Sequence, residues 1–165
     1  MAGMTASMGK ARKVRGFDSL EQEVFLNLWR TYDRLRALED ELFGRYELTA
    51  QQYNALRLLR AARPDGLRTL DLAARLVSRA PDITRLLDKL ERRGLVARAR
   101  PPENRREVWV VITGAGVALL DELAGPVRAC HARQLGHLSA GQMETLAKLL
   151  RAARMPHEDP AGSWR

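Results

Sequence analysis

The stretch SRAPDITRLLDKLERRGLVARARPPENRREVWVVIT, residues 78–113, decides the fold. Its first part has a helical period: Ile83, Leu86, Leu87 and Leu90 recur at three- and four-residue steps and form one apolar side. Ser78 is the expected cap of this helix, with Pro81 in the first turn, where a missing N–H costs little. Gly94 is its stop. The period then changes from 3.6 to 2. Leu95 to Arg100 reads as one strand, and Val108, Val110 and Ile112 alternate with Trp109, Val111 and Thr113 in a second. Between them, Pro101 to Arg106 is too polar and proline-rich for either element, so the pair is a hairpin with a basic tip.

Working outward toward the N-terminus, Thr69 is the expected cap of a short helix carrying Leu70, Ala73 and Leu76. Pro64-Asp65-Gly66 is a turn. Thr49 with Gln52 has capping-box spacing and opens a helix whose buried stripe is Tyr53, Leu56 and Leu59 or Leu58. Before it, a long helix starts near Ser19, with Val24, Phe25, Leu28, Trp29, Tyr32, Leu35, Leu38 and Leu42 in one broad stripe up to Gly44. Toward the C-terminus, Thr113 caps a helix with Val117, Leu120 or Leu119, Leu123 and Val127, and Gly125-Pro126 is expected to kink or break it. Ser139 with Gln142 opens a last helix with Met143, Leu146, Leu149 and Leu150. Residues 1–17 read as a mobile basic arm and 157–165 as a frayed tail.

The predicted fold class is mainly α with a small two- or three-stranded antiparallel wing: a winged helix-turn-helix plus a helical dimerisation region. Residues 18–48 form an N-terminal dimerisation helix, 49–113 the DNA-binding lobe and 114–156 the C-terminal dimerisation helices. In such an arrangement the second helix of the turn lies in the major groove with its first residues at base edges. Here that helix offers Ser78, Arg79, Ala80, Asp82, Thr84 and Arg85. Arginine pairs bidentately with guanine, aspartate accepts from cytosine, and threonine offers a hydroxyl and a methyl group. Asp82 has an equal alternative use, serving the helix start itself. Lys89 and Arg68 are candidates for phosphate contacts. Twelve basic and six acidic residues between Arg63 and Arg106 account for six of the eight net positive charges of the chain. That concentration fits a polyanionic partner, or else a solvated arginine-rich surface.

Three segments in this order resemble the MarR family, named for multiple antibiotic resistance: residues 78–96, the run from Asn104-Arg105-Arg106 through the second strand to Gly116, and Leu48-Thr49-x-x-Gln52-Tyr53. The resemblance implies a homodimeric regulator of transcription. It places the wing arginine at Arg106, in the minor groove, where a narrow groove concentrates negative potential. The family's usual aspartate, which orients that arginine, is Asn104 here. Arg98, Arg100 and Arg105 complete the candidate wing.

The outer helices carry more apolar surface than a helix-turn-helix core covers. A two-fold dimer is the economical solution, with Phe25, Leu28, Leu123, Val127, Leu146 and Leu149 as candidate interface residues and a pseudo-palindromic operator as the consequence. Trp29, Tyr32 and Tyr53 are candidates for a pocket that takes a small aromatic or phenolic effector, as relatives do. The alternative to a DNA-binding regulator is a winged-helix module that binds another protein. No cofactor, metal or catalytic arrangement is expected: the three histidines lack ligand spacing, and there is no phosphate loop or nucleophile elbow. The lone Cys130 reads as a small buried hydrophobe. Absence of a membrane span and of a disulfide framework points to the cytoplasm.

Overall fold

The computed structural model describes residues 16–77, 82–99 and 107–158. Ser78, Arg79, Ala80, Arg100, Asn104, Arg105 and Arg106 fall outside the described residues. Six helices and three strands follow one another as α1 Leu20–Gly44, α2 Ala50–Ala61, β1 Leu67–Arg68, α3 Thr69–Arg75, α4 Ile83–Arg92, β2 Val96–Ala99, β3 Trp109–Ile112, α5 Gly114–Leu135 and α6 Ala140–Arg154 among the described residues. A short 3-10 turn, Met155–His157, closes the order. The chain divides into two compact units, residues 1–37 and 38–165.

The capping residues read from the sequence hold at three starts. Thr49 with Gln52 and Ser139 with Gln142 both make reciprocal capping boxes. Thr113 accepts from Gly116 N–H at the head of α5. Its hydroxyl also donates to the Gly94 carbonyl at 2.6 Å, which ties α5 to the end of α4. The start of α3 differs from expectation. Arg68 occupies the cap position, and Thr69 is the first helical residue, its hydroxyl donating to the Val108 carbonyl at 3.2 Å. The buried side of α3 is rotated accordingly: Leu72 and Leu76 are buried, whereas Leu70 is 81% exposed.

The sheet is antiparallel in the order β1-β3-β2. The expected hairpin is present as β2 against β3, with Val96 opposite Ile112 and Ala99 opposite Trp109. The added strand β1 is two residues long and pairs Leu67 with Val110. Gly66, at φ +82°, lets the chain enter β1: a Cβ there would lie 2.3 Å from the Val110 carbonyl oxygen.

The core of the second unit gathers Leu56, Leu59, Leu72, Leu87, Leu90, Val96, Val110 and Leu123, all fully buried. Leu123 and Val127 therefore face the chain's own core, a correction to their expected place on a dimer face. Helix α5 also runs without a break through Gly125 and Pro126. Proline forfeits one backbone hydrogen bond there, and the burial of Leu120, Leu123, Val127 and Cys130 along one side holds the helix together. By contrast α6 buries no residue, and α1 buries Phe43 alone. Among the described residues no helix is long and apolar enough to cross a membrane.

Candidate nucleic-acid interface

Helix α4 is anchored by one side. Leu86, Leu87 and Leu90 are buried, and Ile83 packs partly buried against the core. The helix starts at Ile83, later than expected, and its cap is Asp82 instead of Ser78: the Asp82 carboxylate accepts from Arg85 N–H at 2.9 Å. Of the two uses open to Asp82 in the sequence, the structure displays the capping one. Thr84, Arg85, Lys89 and Arg92 are exposed. Positions 85, 89 and 92 are four and three residues apart, so these three cations share one outward face.

Three polar ties fix how this helix sits. Asn54 of α2 accepts from Val77 N–H at 3.1 Å, holding the chain where it leaves α3. Arg93, at the far end of α4, donates to the carbonyls of Tyr46 and Glu47 at 3.0 and 2.7 Å. Glu47 adopts φ 52°, a left-handed conformation that is uncommon outside glycine. Arg98 of β2 makes the third tie. Its guanidinium donates to Asp88 Oδ1 at 2.6 Å, to Glu91 Oε2 at 3.0 Å and to the Thr84 carbonyl at 3.0 Å.

Two of the expected nucleic-acid candidates are held in ion pairs by these geometries. Arg98 is turned inward and engaged with α4, with its side chain 22% exposed. Strand parity explains it: a period of two puts Arg98 on the same face as buried Val96. Arg68 is paired with Asp71 at 2.7 Å and with Glu107 at 3.4 Å, so its charge is locally balanced. The hydrogen bond it donates to Asp71, then that carboxylate's charge, then Glu107, hold its proton more tightly than usual. Both arginines border an open groove of about 670 Å³, shared with Thr69, Thr84, Glu91 and Glu107. Sequence reasoning misses Asn54 and assigns Arg93 to phosphates or solvent, whereas the structure ties it to backbone carbonyls. Their partners are backbone groups far along the chain, which no local spacing announces.

The candidate effector residues take separate places. In the first unit, Trp29 lines a shallow hollow with Phe17, Leu26 and Arg30, and Phe25 approaches it with ring centroids 6.1 Å apart. Tyr32, on the same helix, is exposed. In the second unit, Tyr53 stacks on Phe43 at 4.6 Å and borders a hollow of about 440 Å³ with Arg57, Arg60, Leu120 and Ala124. Desolvation, the largest influence on Tyr53, raises its phenol pKa. Cys130 is buried as expected, and desolvation again leads in raising its thiol pKa. No group of three histidine, cysteine or carboxylate side chains is placed to hold a metal among the described residues.

Comparison with known proteins agrees with this geometry. A sequence profile described as the MarR family matches residues 48–108. The homoprotocatechuate degradative operon repressor of Escherichia coli is 30% identical over 106 residues, covering 64% of this chain and 70% of the repressor. The crystal structure of a MarR transcription factor from Planctomyces limnophilus is 58% identical, with TM-score 0.67, and covers 82% of this chain and 98% of that one. A mutant MarR from Escherichia coli, solved in complex with operator DNA, is 25% identical with TM-score 0.71, over 82% of this chain and 98% of that one.

Proposed function

The chain belongs to the MarR family of transcription regulators, and from that premise we propose that it is a homodimeric, sequence-specific repressor of the cytoplasm, without enzymatic activity, that reads duplex DNA through α4. The observation that carries this reading is the division of α4 into a buried leucine side and an outward side bearing Thr84, Arg85, Lys89 and Arg92. Arg85 stands near the helix start, where base edges are within reach, and suits bidentate pairing with guanine. Lys89 and Arg92 lie one and two turns further on and suit phosphates. The resemblance assigns the minor-groove contact to Arg106.

A dimer is favoured by the outer helices. Phe25, Leu28, Trp29 and Leu149 are all exposed in the single chain, which is more apolar surface than a soluble monomer leaves in water without a use. Two α4 helices related by a two-fold axis would engage half-sites about 34 Å apart. A small anionic aromatic effector is supported by the hollow beside Tyr53, where Arg57 and Arg60 flank an apolar floor of Leu120 and Ala124. To weaken operator binding ~100-fold, that effector must distinguish the two states of the dimer by about 2.7 kcal/mol.

The test is to replace Arg85 and Arg106 by alanine separately and titrate operator DNA selected by the wild-type chain. Arg85→Ala relaxes base preference, worth about 1–3 kcal/mol at one position. Arg106→Ala weakens the wing-dependent part of binding. Unchanged binding in both variants removes the groove assignment.

A further inference from the structure

Arg98 reaches one face of α4 and no other. Thr84, Asp88 and Glu91 are spaced four and three residues apart, so they form a single stripe along the helix. The guanidinium bridges all three, through the Thr84 carbonyl and the two carboxylates, while the Arg98 backbone N–H donates to Glu91 Oε1 at 3.2 Å. The neighbouring stripe, Arg85, Lys89 and Arg92, is one residue further round, a rotation of about 100°. The leucine side alone does not set that rotation sharply, because apolar burial is not directional. A planar fork of donors locked onto three fixed acceptors does set it.

We propose that Arg98 is a positioning residue for DNA recognition: it fixes the roll of α4 about its own axis and the angle between α4 and the β2–β3 hairpin, without itself touching DNA. The inference rests on the reading of α4 as the helix that enters the groove. It also accounts for Asp88 and Glu91, two acids in a segment otherwise rich in cations. They hold the one arginine of the hairpin that faces inward among the described residues. Such partly exposed pairs contribute little to stability. The clamp therefore acts on geometry more than on folding.

Two variants test it, each measured on an operator selected from a randomised pool and on a scrambled duplex of equal length. Arg98→Met loses about tenfold or more of the operator-to-scrambled affinity ratio, while melting well above the assay temperature. The double variant Asp88→Asn, Glu91→Gln leaves Arg98 in place and lowers the same ratio. If Arg98 instead contacted phosphate, Arg98→Met would weaken both duplexes equally with a salt slope smaller by about one. Freeing it in the double variant would then strengthen both equally. Either pattern, or an unchanged ratio, overturns the proposal. Amide hydrogen exchange on the free protein gives a readout independent of DNA. Residues 84–92 exchange faster in both variants while the α2 and α5 cores do not, and unchanged protection there overturns the clamp even if the wild-type chain selects no operator.

Discussion

A methyl group added at Gly116 has nowhere to go. Its Cβ would stand 2.3 Å from the Leu95 carbonyl oxygen and 2.6 Å from Ile112 Cγ1, because the first turn of α5 lies directly against the end of the hairpin. The same holds at Gly66, where a positive φ adds backbone strain to the clash with Val110. Gly116→Ala and Gly66→Ala are each expected to cost about 1–3 kcal/mol, read from the urea midpoint, with the larger loss at Gly66. A second expectation at this scale concerns Cys130. Its thiol pKa is raised, chiefly by desolvation, so less of it is thiolate at any pH below that pKa. A thiol reagent added at pH 8 will label the native protein much more slowly than the urea-unfolded chain. Equal rates would mean that α5 opens freely around it.

At the scale of elements, α4 has its cap in Asp82, and that cap separates two roles for one carboxylate. Replacing it with alanine removes the acceptor for Arg85 N–H and is expected to cost about 1 kcal/mol in denaturant unfolding. Asp82→Asn retains an acceptor, so stability stays close to wild type. A shift in the selected base at one operator position in the asparagine variant would show that the carboxylate also reads cytosine. Elements of this kind were legible where a local rule is sufficient. The capping boxes at Thr49 and Ser139, the leucine side of α4 and the change of period at the hairpin all depend on neighbours within a few residues. What the sequence concealed depends on partners far along the chain. Leu70 was expected inward, but α3 is pinned by Arg68, Thr69 and their contacts with residues 107–108, which rotate Leu72 into the core instead. The charge of Arg98 places it among the wing cations in sequence, whereas its inward parity and its acidic partners emerge only when β2 lies along α4. A kink or break at Gly125-Pro126 is the expectation for a helix judged alone, and burial along α5 keeps the helix continuous there.

The whole molecule presents apolar surface that its own core does not use. Phe25 is 60% exposed, Trp29 62% and Leu149 63%, on α1 and α6, the two helices that bury the smallest share of their residues. If these faces join two copies, two consequences follow together. The wild-type chain sediments at twice its sequence mass, and it binds a duplex with two half-sites far more tightly than one with a single half-site. Charged replacements on both helices, Phe25→Asp with Leu149→Asp, place carboxylates where apolar surface must be buried and are expected to leave a folded single chain. Because α4 and the hairpin belong to a core that contains neither residue, that variant keeps its affinity for the single half-site. It loses the gain from the second, since two independent chains no longer share one encounter with the DNA. Sedimentation and titration of the two duplexes check both consequences in one preparation. A variant that still sediments as a pair, and still prefers the double site as strongly as wild type, would mean that these faces serve another purpose and that the two-fold axis lies elsewhere.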